Sequence, residues 1–146
     1  MSKIKTYVDL ARPFTLLPPA LGVVSGAVTA WGAHGTRDAV TLATFLPVLW
    51  GALMAAVLNS ASNAINQIYD LDIDRVNKPK RPLPSGALTL REAWGFTLVG
   101  FALAWVLAWL AVRPGLEAHR ECFWIVLFTT VLVWAYSAPP FRTKAR

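Results

Sequence analysis

The sequence predicts an all-α fold, a polytopic membrane protein with four transmembrane helices, and three observations predict it. Of 146 residues, 55% are hydrophobic and only 15% charged, and the mean hydropathy is +0.47, which disfavours a water-soluble globular chain. The charges gather into short stretches that leave four uncharged runs, where a hydrocarbon core takes about 20 helical residues to cross. Basic residues concentrate on alternate connections, the pattern that orients membrane helices. A formal net charge of +6 is thereby accounted for by orientation and anionic lipid, and no nucleic-acid partner is expected.

Taken in order, residues 1–13 place Ile4, Tyr7, Val8 and Ala11 at helical spacing opposite Lys3, Lys5 and Asp9. This fits a short helix lying in the headgroup region or, equally, a positive flank to the first span. With these charges and an apolar run long enough to span behind them, no removable signal peptide is expected. Residues 14–33 are 20 without a charge and form the first span; Pro18 and Pro19 should kink it or delay its start. Gly22, Gly26 and Ala30 give that span a small-residue stripe suited to close approach by another helix.

After a polar turn, residues 39–69 run for 31 without a charge, and the second span is placed at 40–69. Residues 40–58 alone would cross the bilayer. The remainder adds Asn59, Ser60, Ser62, Asn63, Asn66 and Gln67, which lipid does not tolerate unless they face a cavity or other protein. Residues 75–91 hold Pro79, Pro82, Pro84 and Gly86 among five basic side chains and read as an irregular basic loop. Thr89 and Glu92 have capping-box spacing and mark the start of a third span at 93–112, with Gly100, Ala104 and Ala108 as a second small-residue stripe. The fourth span is 122–138. Trp94, Trp109 and Trp124 fall near interfaces, as an aromatic belt requires. The lone Cys122 excludes an intramolecular disulfide and a CxxC redox or metal pair.

Eleven Lys and Arg residues fall on the side of both termini and the 75–91 loop, against Arg37, Arg113 and Arg120 on the other. The N-terminus is therefore expected in the cytoplasm of a cell with this multi-pass protein in its inner membrane. His34 and His119 lie on the far side and read as surface residues.

Asn66, Asp70 and Asp74 are spaced i, i+4, i+8 and share one helical face, with Asn59 and Asn63 above them. Asp72 points away, towards a local pairing with Arg75. Two carboxylates a turn apart repel unless a cation lies between them, and Mg2+, a hard ion that takes carboxylate, phosphate and water oxygens, suits that place. Arg75, Lys78, Lys80 and Arg81 follow directly with charge suited to a phosphate. An adjoining apolar cavity would suit a hydrocarbon tail. The residues alone leave a second reading open, that of a solvated helix end.

The stretch NQIYDLDID (66–74) resembles the NxxxDxxxD motif of the UbiA-type intramembrane prenyltransferases. RVNKPKRPLPSG (75–86) resembles the loop that follows that motif in the same family. YSAPPFRTK (136–144) is similar to the segment after the fourth helix in the chlorophyll-synthase and homogentisate-prenyltransferase branches. The resemblance covers essentially the whole chain and the first half of a bundle of roughly nine helices. It implies Mg2+-dependent transfer of a prenyl group from a prenyl diphosphate to an aromatic, tetrapyrrole or lipid acceptor in the membrane. It implies Asn66, Asp70 and Asp74 as catalytic and metal-binding residues, and Lys78, Arg81, Tyr136, Arg142 and Lys144 at the diphosphate. Neutralising Asp70 or Asp74 is then expected to abolish transfer with little loss of folding.

The family's second aspartate motif, carried on a later helix, has no counterpart here. The resemblance therefore implies a complementing C-terminal half and no turnover by residues 1–146 alone. The NQ form and YSAPP lean towards chlorophyll, homogentisate or related quinone acceptors; glycerol-lipid and hydroxybenzoate transfer stay open. A non-enzymatic membrane protein, such as a cation transporter or assembly subunit, would explain the polar stripe but not the basic proline-rich loop beside YSAPP. The aspartate pattern of CDP-alcohol phosphotransferases finds no match.

Overall fold

A computed structural model describes residues 2–33, 41–111 and 120–143. Six α-helices follow one another in it: α1 (Lys3–Ala11), α2 (Leu17–Ala33), α3 (Leu42–Tyr69), α4 (Leu71–Asn77), α5 (Leu90–Leu110) and α6 (Glu121–Ser137). The described residues contain no strand. The protein is an all-helical membrane protein in which α2, α3, α5 and α6 are the four apolar helices. By length and composition, α3 with 28 residues and α5 with 21 suffice to cross a bilayer singly. The 17-residue α2 reaches that length joined to the N-terminal helix across a 48° bend, and α6 is a shorter apolar helix of 17 residues.

Local chemistry sets the boundaries. Ser2 caps α1 by accepting from Lys5 N, and Arg12, left-handed at φ 59°, ends it and turns the chain into a short 3-10 turn, Pro13–Thr15. Pro18 and Pro19 then lie in the first turn of α2, where a missing N–H costs nothing, so they delay the span to Leu17. The predicted capping box is present at α5: Thr89 Oγ1 accepts from Glu92 N at 3.2 Å, and Glu92 Oε2 accepts from Thr89 N at 2.8 Å. It starts the helix at Leu90, three residues earlier than the charge pattern places it. Val112, His34, Arg37, Arg113 and His119 lie outside the described residues.

Helix α3 is the centre, touching α1, α2, α5 and α6. Against α5 the backbones approach closely: a methyl on Gly100 would lie 3.0 Å from Ala61 Cβ, and Ala61, Ala104 and Ala108 are wholly buried. The stripe on α5 is therefore a packing surface, as expected. The stripe on α2 differs: among the described residues nothing packs against Gly22 or Gly26, and no residue of α2 is buried. The α2–α3 contact runs through Gly51, whose absent Cβ would meet Val23 Cγ1 at 3.1 Å. Small residues permit an approach but do not say which face receives it.

Most of the amides that lengthen α3 hold the break between α1 and α2. Asn59 Nδ2 donates to Thr15 O at 2.6 Å, Asn63 Nδ2 to Ala11 O at 3.0 Å and to Thr15 Oγ1 at 2.8 Å, and Gln67 Nε2 to Leu10 O at 2.8 Å. Their acceptors include the carbonyls that the end of α1 leaves without helical partners. Sequence spacing sets Asn59 and Asn63 on the face of Asn66; the structure commits them to this join instead. Gln67 is 2% exposed, so Gln67→Leu leaves Leu10 O without that donor and is expected to cost about 1–3 kcal/mol. A thermal midpoint equal to wild type in lipid nanodiscs would refute the clamp.

Candidate functional site

Helix α3 stops at Tyr69 because Asp70 leaves helical geometry at φ −96°, ψ 9°, and α4 begins at Leu71. The i→i+4 hydrogen bonds nonetheless run across the junction: Asp70 N to Asn66 O at 2.9 Å, Asp74 N to Asp70 O at 2.8 Å and Lys78 N to Asp74 O at 2.8 Å. Asn66, Asp70 and Asp74 thus stay one turn apart although the helix changes.

Each meets a side chain from elsewhere in the chain. Asn66 Oδ1 accepts from Ser137 Oγ, at the end of α6. Asp70 Oδ1 accepts from Arg142 Nη2 at 3.4 Å, and the same nitrogen donates to Tyr69 O at 3.3 Å. Asp74, only 4% exposed, forms an ion pair with Arg81 Nη1. Asp72 stands apart and exposed, paired with Arg75 at 2.8 Å as its spacing predicts.

The basic loop holds Arg81 in place through its apolar residues. Leu83 and Leu88 are buried in one cluster with Leu10, Ala64, Ile68 and Ala93. Arg81 N donates to Lys78 O at 3.0 Å and Leu88 N to Pro82 O at 3.0 Å, and Gly86 takes the positive φ of 73° that the turn requires. Lys78 is exposed and, with Asp9, Lys80 and Arg81, lines an open cleft of about 420 Å3 between α1 and the loop. Tyr136 is half exposed on α6. Lys144 lies outside the described residues.

Among the described residues no three His, Cys, Asp or Glu side chains group to hold a metal ion. Mg2+ does not need such a cage, since one or two carboxylates with phosphate and water oxygens suffice. The stacked oxygens of Asn66, Asp70 and Asp74 have the right hardness, and the guanidiniums beside them suit a diphosphate. Among the described residues Arg142 Nε is buried without a hydrogen-bond partner, donor capacity beside Asp70 that an oxyanion would use. The residues therefore fit a Mg2+–diphosphate pair. Ser137 is missing from the residues that spacing selects, though the YSAPP stretch that contains it was legible.

Next to this stack three rings close on one another. Tyr69 lies 5.9 Å from Trp94 and 6.5 Å from Trp134, and the two tryptophans are 5.6 Å apart. Trp94 is thus part of an internal aromatic cluster. Trp109 and Trp124 remain about half exposed or more, beside Phe123, with Arg120 lying 3.7 Å over the Trp109 ring.

The profile of the UbiA prenyltransferase family matches residues 16–146. Over 134 residues the chain is 37% identical to digeranylgeranylglyceryl phosphate synthase of Methanopyrus kandleri, covering 92% of this chain and 43% of that protein. It is 32% identical over 147 residues to chloroplastic chlorophyll synthase of Arabidopsis thaliana, covering 98% and 36%. The solved structure of a UbiA homolog from Archaeoglobus fulgidus bound to DMAPP and Mg2+ superposes with a TM-score of 0.71 at 27% identity, over 93% of this chain and 45% of that one. A structure of digeranylgeranylglyceryl phosphate synthase in membranes superposes at 0.75 and 27% identity, over 95% and 44%. The chain spans less than half the length of these relatives.

Proposed function

This chain belongs to the UbiA prenyltransferase family, and from that premise we propose that it forms one wall of a site for Mg2+-dependent prenyl transfer from a prenyl diphosphate to a hydrophobic acceptor. The activity is assigned to a protein of the relatives' length that carries these residues, with the opposite wall contributed by the remainder. One observation carries the reading: Arg81 from the basic loop and Arg142 from beyond α6 converge on the two carboxylates of a single stripe. Side chains separated so far in sequence meet there in a pattern that suits a phosphate and its counter-ion.

In this reading Asn66, Asp70 and Asp74 hold the metal, which when bound supplies Lewis-acid stabilisation of the departing pyrophosphate. Arg81, Arg142 and Lys78 take up charge on the leaving group as the allylic C–O bond breaks, with Tyr136 and Lys144 assisting. The Tyr69–Trp94–Trp134 rings lie beside the stack and exclude water, which would otherwise capture the allylic cation. An electron-rich acceptor then attacks that cation and gives up a proton. The relatives named above include enzymes of glycerol-lipid and chlorophyll synthesis, so both acceptor classes enter the test. The charge bias, eleven Lys and Arg residues against three, supports a cytoplasmic N-terminus and, in this reading, a site on the cytoplasmic face of the inner membrane.

The test uses the full-length protein in liposomes with labelled geranylgeranyl diphosphate and a panel of glyceryl phosphate, chlorophyllide and homogentisate acceptors, with Mg2+ or excess EDTA. Prenylation of one acceptor class that stops in EDTA is expected. Mg2+ flux across acceptor-free liposomes with no prenylated product would favour a transporter.

A further inference from the structure

We infer that the amide oxygens of Asn59 and Asn63 take a hydroxyl of the acceptor substrate, which is therefore an alcohol or phenol and not a carboxylic acid; this rests on the function proposed above. Both amides are oriented by groups that can only accept. Asn59 Nδ2 donates to Thr15 O at 2.6 Å and Asn63 Nδ2 to Ala11 O at 3.0 Å, and a backbone carbonyl pairs with an N–H, never with an amide oxygen. Thr15 Oγ1 gives its proton to Arg12 O at 2.8 Å, so it too accepts from Asn63 Nδ2. The join between α1 and α2 thus holds the NH2 ends and turns each Oδ1 away from itself.

Among the described residues nothing donates to Asn59 Oδ1 or Asn63 Oδ1. Neither oxygen is sealed in, because Arg142 Nε is the one fully buried side-chain nitrogen or oxygen without a partner among those residues. With Asn63 only 8% exposed, its opening is small. A carbonyl oxygen facing hydrocarbon is costly, so a donor is expected opposite it. Asn59 precedes Asn66 by seven residues and Asn63 precedes Asp70 by seven, which sets each about 10 Å deeper along the helix and turned by only about 20°. The two oxygens therefore continue the stripe into the membrane, the side from which a hydrophobic acceptor approaches. They select by hydrogen-bonding character: an alcohol or phenol brings an O–H, whereas an ionised carboxylate would set lone pairs against lone pairs.

The experiment uses full-length protein in nanodiscs with Mg2+ and geranylgeranyl thiodiphosphate, a slowly reacting analogue. Its binding probes are a glyceryl phosphate ether and a hydroquinone, each beside a counterpart in which hydrogen replaces the hydroxyl. In at least one pair the wild type is expected to bind the hydroxyl probe about tenfold more tightly, the change that one hydrogen bond of ordinary net strength carries. Asn63→Leu should bring that pair within about twofold, whereas a purely structural lesion would weaken both probes alike and keep the ratio. If Asn63→Leu does not fold, Asn59→Leu carries the same test. With geranylgeranyl diphosphate, the wild type should transfer no prenyl group to chlorophyllide, whose nucleophile is a carboxylate. Equal wild-type affinities within both pairs, a ratio still near tenfold in whichever variant folds, or prenylated chlorophyllide would each overturn the inference, the last while leaving the proposed function intact. Absence of Mg2+-dependent binding of the thiodiphosphate by the wild type would overturn the proposed function itself, which separates the two failures.

Discussion

Asp70→Asn is expected to reduce prenyl transfer by the full-length protein by about three orders of magnitude while the protein remains folded. The loss follows from removing a preorganised charge at the point where the departing diphosphate must be stabilised, a change typically worth about 10²–10³ in rate, with metal affinity falling in addition. Folding survives because the Asp70–Arg142 contact is long, at 3.4 Å, and both side chains keep about a third of their exposure. A partly solvated pair of this kind contributes little to stability, and asparagine still offers Arg142 an acceptor. Initial rates at saturating prenyl diphosphate and a thermal midpoint in the same nanodiscs check both halves. Turnover within tenfold of wild type would remove Asp70 from the site.

Asp74 is expected to fail differently. Spacing alone treats the two aspartates alike and anticipates little loss of folding at either. The structure separates them, since the Asp74 side chain is 5% exposed and that of its partner Arg81 is 23% exposed. Removing one member of so buried a pair strands the other charge, so Asp74→Ala should cost about 3–5 kcal/mol as well as activity. Asp74→Asn, which keeps an acceptor for Arg81, should cost less. Replacing both partners by leucine should recover much of the stability and none of the transfer, because the buried charge is gone and so is the ligand. Equal midpoints for Asp70→Asn and Asp74→Ala would contradict the distinction that burial draws.

Much of the architecture was legible from charge placement. Lipid cannot hydrogen-bond a backbone, so uncharged runs must be helices, and their positions follow from the charges that interrupt them. The start of α5 was legible too, because Thr89 and Glu92 cap it through contacts only three residues apart. The Asp72–Arg75 pair is likewise local. By contrast, the stripe on α2 looked the same in sequence as the stripe on α5, and only the latter has a partner among the described residues.

The site divides along the same line. The sequence by itself determined that a polar, acidic stripe ends a membrane helix and that a basic loop follows, because helical periodicity puts Asn66, Asp70 and Asp74 in register whatever surrounds them. Only the tertiary structure decided which polar groups serve the fold and which face the stack. Asn59, Asn63 and Gln67 turn to the carbonyls between α1 and α2, whereas Asn66 turns to Ser137, Asp70 to Arg142 and Asp74 to Arg81. The physical reason is reach. Periodicity fixes the direction of a side chain from its own helix, but its hydrogen-bond partner lies on another segment 7 to 72 residues away, whose position is set by packing of the whole bundle.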